Sequence, residues 1–366
     1  MTISGILIPK AGLGIFPRYI LPHPKKILGK GYKHRYSLGH QAKTYKLGGF
    51  LEHYGSKTMM YAYAVKKGVP VISRFPWDIG IISFMLFPEL MKSSENAAEK
   101  IRVLLEDPFF DLVEVTIIDD AEWKKIAEIN AKYGKTFALG LQPVVLARGV
   151  NPNPLSEEER KKSVQTLLAE LRKAGERGYK AVGLCTGPNV EGPDREKAVE
   201  SLIKTLVELG SEAAKYGMNV YLETFDVIWD RKRLLGLYPD AVKVVEKVWE
   251  NGVKNVYIMW DLSHAPLLNE NPEVLRSYPE FLGHVHIGCA KKAGDKLLDT
   301  HPGFYRPGAL NTEKDVAKLL EVLHSIGYKG AISFEVRPEE GQDPMEILNS
   351  SKGVLLRAFQ LFVENL

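Results

Sequence analysis

Eight short apolar runs alternate with longer charged, helix-periodic segments along the last four-fifths of the chain, and this alternation limits the fold more than any other feature. The runs are DIGIISFML (78–86), DLVEVTII (111–118), TFALGLQPVVL (136–146), KAVGLCTG (180–187), NVYLETF (219–225), NVYIMWD (255–261), LGHVHIG (282–288) and AISFEVR (331–337). They are too apolar to leave one face in water, as expected of parallel strands covered on both sides. The segment 156–178 opens with the capping box Ser156-x-x-Glu159 and ends in Gly178. Its Val164, Leu167, Leu168 and Leu171 recur at helical spacing. Segments 194–217 and 312–327 repeat the pattern and close on glycine, and the C-terminal stretch from Asp343 is helix-like despite an internal Gly353. Eight β-then-α units fit an α/β fold of the (β/α)8 (TIM) barrel type. A doubly wound open sheet fits less well. The strand count is high, and no Gly-x-Gly-x-x-Gly follows the first strand.

Residues 1–76 stand outside the alternation and are set apart as an N-terminal extension, with the barrel at 77–366. Met1 to Lys57 holds ten Lys or Arg against one acidic residue, Glu52. This surplus leaves the rest of the chain acidic, although the whole carries a net charge of only +4. The extension reads either as loops and short strands packed on the barrel or on a second subunit, which would make a homo-oligomer, or as a basic arm. Two cysteines, Cys185 and Cys289, cannot form a disulfide framework and point to a reducing, cytoplasmic setting. No apolar stretch reaches the length of a membrane span, so no membrane partner is expected.

Barrel chemistry takes place at the C-terminal strand ends. The fifth run ends in Glu223, the sixth in Asp261 with His264 three residues on, the seventh carries His284 and His286, and the eighth carries Glu335 and Arg337. Asp299, His301 and Arg306 lie between the last two runs. Three carboxylates and one imidazole from four consecutive strands make a site for one hard divalent cation, with Mn²⁺ the first choice and Mg²⁺, Co²⁺ or Zn²⁺ also suited. His284 and His286 share a face of their strand, so spacing alone leaves both as the imidazole ligand.

YLET, WDLSH, HVHIG…LLDTHPGFYRPG and SFEVRP together resemble the xylose-isomerase-like barrel superfamily of sugar isomerases and epimerases, most strongly over 217–340. The resemblance implies metal ligands at Glu223, Asp261, His286 and Glu335, a substrate-binding role for His264, and a preference for His286 over His284. Cys289 stands where the family often has Asp or Glu. It further implies epimerisation or isomerisation of a ketose or keto-sugar acid through an enediolate, with Glu223 and Glu335 as the acid/base pair and epimerisation favoured. His301, Arg306, Arg337 and Lys292 are read as substrate-binding residues; the last three, with Lys291, would suit a sugar acid or sugar phosphate. Two related enzymes are the alternatives. An apurinic-site endonuclease is favoured by Asp299-x-His301, but it also needs histidines on the second and third strands, where Glu114 and Gln142 stand. A dehydratase acting on a cyclic polyol of the inosose type would share the enediolate chemistry. Nucleic acid is the less expected partner; beside the endonuclease reading, the basic run KGYKHRY (30–36) weakly suits a non-enzymatic barrel that binds nucleic acid or a polyanion.

Overall fold

The computed structural model describes residues 60–366 except Lys67. The basic part of the extension, KGYKHRY included, lies outside the described residues. Within the described part of residues 1–76, Tyr61–Lys66 and Val69–Arg74 form an antiparallel hairpin. Ala62 and Ala64 are buried beneath it. The C-terminal helix Pro344–Asn365 holds the hairpin: Gln360 Nε2 donates to Tyr63 O at 2.6 Å, and Phe75 meets Phe359 edge-on with centroids 5.1 Å apart.

All eight apolar runs supply a strand of one closed parallel barrel. We number these β1 (Ile79–Ile82), β2 (Leu112–Val115), β3 (Thr136–Gly140), β4 (Ala181–Cys185), β5 (Asn219–Glu223), β6 (Val256–Asp261), β7 (Leu282–Ile287) and β8 (Ile332–Phe334). Neighbours in sequence pair in order, and β8 closes onto β1 through Ile332↔Ile79. The first and third runs are shorter as strands than their apolar length implies. Ser83–Leu86 and Gln142–Ala147 are helical turns. Pro143 has no N–H to give a ladder, so β3 stops at Gly140. The expected helices appear as Glu157–Glu176, Arg195–Ala214 and Glu313–Ser325. Ser156 Oγ accepts from Glu159 N at 3.4 Å, and Thr312 and Asp315 cap each other reciprocally.

Two backbone details set the strand ends. The β6–β7 pairing shifts register between Ile258 and Met259, which brings Asp261 level with His286. Without that shift Asp261 would oppose Val285, whose side chain points the other way. Gly288 follows β7 so closely packed that a Cβ there would lie 2.2 Å from Glu335 O. The close approach lets His286 and Glu335 meet.

Candidate metal centre and active site

Glu223, Asp261, His286 and Glu335 converge at the C-terminal mouth of the barrel. Each offers one donor atom, and the four atoms lie within 4.8 Å of one another. All four residues are buried. His286 Nδ1 is 2.8 Å from Glu335 Oε2 and 3.6 Å from Glu223 Oε1. Glu223 Oε1 is buried and has no hydrogen-bond partner among the described residues. An orphaned carboxylate oxygen facing two further carboxylates and an imidazole nitrogen fits a divalent cation, because without one the charges repel. Burial pushes the Glu335 carboxyl up and Glu223 adds to the rise, against the opposing pull of His301 and His286.

His284 and His286 differ in what surrounds them. Glu114 of β2 accepts from His284 Nε2 at 2.8 Å and lies 3.4 Å from His286 Nε2. His286 thus points Nε2 down at Glu114 and Nδ1 up into the carboxylate cluster. His284 sits one step deeper, stacked on Tyr221 with centroids 5.3 Å apart. It lines a cavity of about 140 Å³ whose other lining residues include Thr136 and Lys180, at the N-terminal ends of β3 and β4. Burial would raise the Glu114 carboxyl, but the charges of His284 and His286 outweigh it and hold it well below the ordinary range. On β3's end, Gln142 Nε2 donates to Glu223 Oε2 at 2.7 Å. Gln142 fits there because Gly183 leaves room: a Cβ at that glycine would come 2.9 Å from Met259 Cε and 3.4 Å from Gln142 Nε2. Glu114 and Gln142 therefore orient the side chains of the cluster.

A second group flanks the first. His264 Nδ1 donates to Thr224 O at 2.7 Å, and its Nε2 lies 3.2 Å from Asp299 Oδ1. His301 Nε2 lies 2.7 Å from the same Asp299 oxygen and 3.5 Å from Glu335 Oε1. Ser263 Oγ links Asp261 Oδ2 to His301 Nδ1, the latter at 3.1 Å. Burial would depress both imidazoles; instead Asp261 and Asp299 raise His264 well above the usual value, and Glu335 and Asp299 raise His301 to about 9. His301 adopts a left-handed backbone at φ 49°, held by Arg337 N donating to its carbonyl at 2.7 Å. A non-glycine residue in that conformation costs on the order of 1 kcal/mol and is found where a side chain must be aimed.

Of the other basic residues expected at the mouth, Arg306 and Lys291 both pair with Glu339. Lys292 is exposed on the small hairpin formed by Lys291–Ala293 and Lys296–Leu298. Arg337 is half-buried directly beyond Glu335. One residue that sequence reasoning passed over is Arg231, whose Nε donates to Asp299 Oδ2 at 3.0 Å and whose Nη2 donates to Asp299 O at 2.8 Å. Its loop is held by the buried Asp226, whose carboxylate accepts from the backbone N–H groups of Trp229, Asp230 and Arg231.

The chain belongs to the xylose isomerase-like TIM barrel family, whose model matches residues 109–355. Several solved structures share the fold. D-psicose 3-epimerase, solved in the presence of D-fructose, is 18% identical with a TM-score of 0.56, over 78% of this chain and 99% of its own. The 3-keto-D-glucoside 4-epimerase from E. coli is 21% identical with a TM-score of 0.55, over 76% of this chain and 98% of its own. The IOLI protein, solved with a bound zinc atom, is 18% identical with a TM-score of 0.58, over 78% of this chain and 99% of its own. No curated protein matches by sequence. Among the described residues no helix is long and apolar enough to cross a membrane.

Proposed function

We propose that this chain is a divalent-metal-dependent sugar epimerase that exchanges the proton on the carbon beside a ketose carbonyl. The observation that carries the reading is the convergence of Glu223, Asp261, His286 and Glu335 within 4.8 Å, with Glu223 Oε1 left without a partner. A divalent ion held by these four would supply the positive charge that polarises a carbonyl and offsets the negative charge developing on its oxygen. Mn²⁺ is the first choice for an oxygen-rich set with one imidazole.

The chain's own residues account for the proton transfers. Glu223 ends β5 and Glu335 follows β8, with β6 and β7 between them; in this reading a sugar lies with one of the two carboxylates on each face. One Glu removes the α-proton to give an enediolate, and the other returns a proton from the opposite face, inverting the carbon. Gln142 occupies Glu223 Oε2 and keeps Oε1 turned inward. Burial favours the protonated form of Glu335, which suits it to deliver a proton. In this reading His264 and His301 exchange their contacts with Asp299 for the sugar's hydroxyl oxygens.

The endonuclease reading gains from the grouping of Asp261, His264 and His301, which lie within 4.8 Å and offer a place for a further ion. It loses on β2 and β3, where Glu114 and Gln142 stand in place of histidines, Glu114 bonded to His284 and His286 and Gln142 Nε2 to Glu223. Crystals grown with Mn²⁺ test the metal assignment. A single anomalous peak about 2.0–2.6 Å from all four side chains is expected. Three separate peaks would favour the endonuclease.

A further inference from the structure

The wall of the mouth above β3, β4 and β5 is built from three loops tied together. Asn153, in the loop after β3, accepts from Gly187 N at 2.5 Å and donates to Pro188 O at 3.3 Å. Leu234 N, in the loop after β5, donates to Gly187 O at 3.1 Å, and Pro188 bridges to Arg233. Of the half-buried cations in this wall, one has no side-chain partner among the described residues. Arg231 is consumed by Asp299, Arg195 by Asn189 and the carbonyls of Val190 and Leu234, but Arg233 makes no ion pair among the described residues. Its Nε is sealed from solvent and has no hydrogen-bond partner there. Arg233 stands at the C-terminal mouth, in the loop after β5, where it bridges to Pro188 beyond β4 and donates its backbone N–H to Asp226 O at 2.8 Å. Two acceptor atoms in the same quarter are also orphaned: Gln142 Oε1 and Glu223 Oε1.

A guanidinium nitrogen sealed from solvent without an acceptor calls for an explanation, and a ligand that reaches the fork supplies one. Of the other cations around the mouth, Arg306 and Lys291 share Glu339, Lys292 is exposed on its hairpin, and Arg337 stands beyond β8. The planar fork of an arginine matches the two oxygens of a carboxylate or phosphate.

We propose that the substrate is an anionic keto-sugar and that Arg233 binds its oxyanion, a carboxylate or a phosphate, while the metal-facing carboxylates act on the carbonyl end. This rests on the epimerase reading above and adds the substrate class to it.

The test compares the wild-type, Mn²⁺-loaded protein with Arg233→Gln and Arg233→Lys on three probes: D-fructose, D-fructuronate and D-fructose 6-phosphate. Solvent-deuterium incorporation is followed by mass spectrometry. The wild type is expected to prefer one anionic probe over D-fructose by at least about tenfold in kcat/KM, expressed in KM. Which anion is preferred separates carboxylate from phosphate. In Arg233→Gln that preference should collapse at least tenfold, and Arg233→Lys should restore part of it. The metal-free Tm of Arg233→Gln should equal or exceed that of the wild type, because a partnerless cation has been removed. Equal use of neutral and anionic probes, or a lowered Tm with the preference intact, overturns the proposal and leaves the epimerase reading standing. If no probe exchanges, the epimerase reading fails, and calorimetric titration with D-gluconate and sorbitol decides the role of Arg233. Gluconate binding that Arg233→Gln abolishes upholds the oxyanion site, and equal or absent binding of the two removes it.

Discussion

Glu114→Gln is the substitution that most directly probes how the site is held together. Glu114 is buried, accepts from His284 Nε2 at 2.8 Å, and lies 3.4 Å from His286 Nε2. A glutamine fills the same volume but presents one acceptor oxygen and one NH₂ group. One of the two imidazole N–H groups must then face a donor. Losing one charge-assisted bond of good length costs roughly 2 kcal/mol, with the 3.4 Å contact adding little because it is long. The effect on metal binding is separate. His286 presents Nδ1 to the cluster only while Nε2 keeps its proton, and Glu114 is the acceptor that fixes this tautomer. Outer partners of this kind are worth about 10–100-fold in metal affinity, or roughly 1.4–2.7 kcal/mol. Urea unfolding in chelator measures the first quantity, and competition with a chromophoric chelator for Mn²⁺ measures the second. A variant with wild-type metal affinity would refute the orienting role of Glu114, even if its stability had fallen.

Glu335→Gln keeps shape and removes a buried charge. Exchange activity should fall by at least about 10²-fold, while metal-free stability holds or rises because repulsion with Glu223 is relieved; near-full activity would leave Glu335 a spectator. In the metal-free protein His301 has its pKa raised to about 9 against an ordinary value near 6.5. A raised imidazole stabilises the fold fully below the unfolded value and loses that contribution as pH climbs through the folded one. His264 and His286 are raised as well, so metal-free stability should decline from about pH 6.5 to pH 9. Urea midpoints across that window would show the decline, and His301→Gln should flatten it; a flat wild-type profile would count against these assignments.

The strand count was readable because each barrel strand is apolar on both faces while each covering helix is not. The strand ends were less readable. Ser83–Leu86 and Gln142–Ala147 continue an apolar run without a break in composition, and a fully buried helical turn has no periodicity to distinguish it from strand. Glu223, Asp261 and Glu335 stood out because a carboxylate at the end of an apolar run needs a reason. Glu114 lies inside such a run, and Gln142 looks like an ordinary amide. Their roles depend on partners 81 to 172 residues away in sequence. His284 and His286 are equivalent by alternation; only their depth in the barrel separates them. Arg231 and Arg233 were lost in DRKR, which reads as a solvated turn until the Asp226 carboxylate is seen gathering the loop's backbone N–H groups. Arg306, adjacent in sequence to the HPGF loop, faces Glu339 instead of the site.

The central claim is that this cluster exchanges a proton beside a ketose carbonyl with inversion. The direct measurement is turnover of a ketose and keto-sugar-acid panel in D₂O by the metal-loaded protein, with position and configuration read by NMR after metal removal. One deuterium at the carbon next to the carbonyl of the inverted ketose, with no aldose formed, is the predicted result. Aldose as the main product would contradict epimerisation. The absence of exchange across the panel, together with cleavage of abasic DNA, would contradict the sugar chemistry altogether.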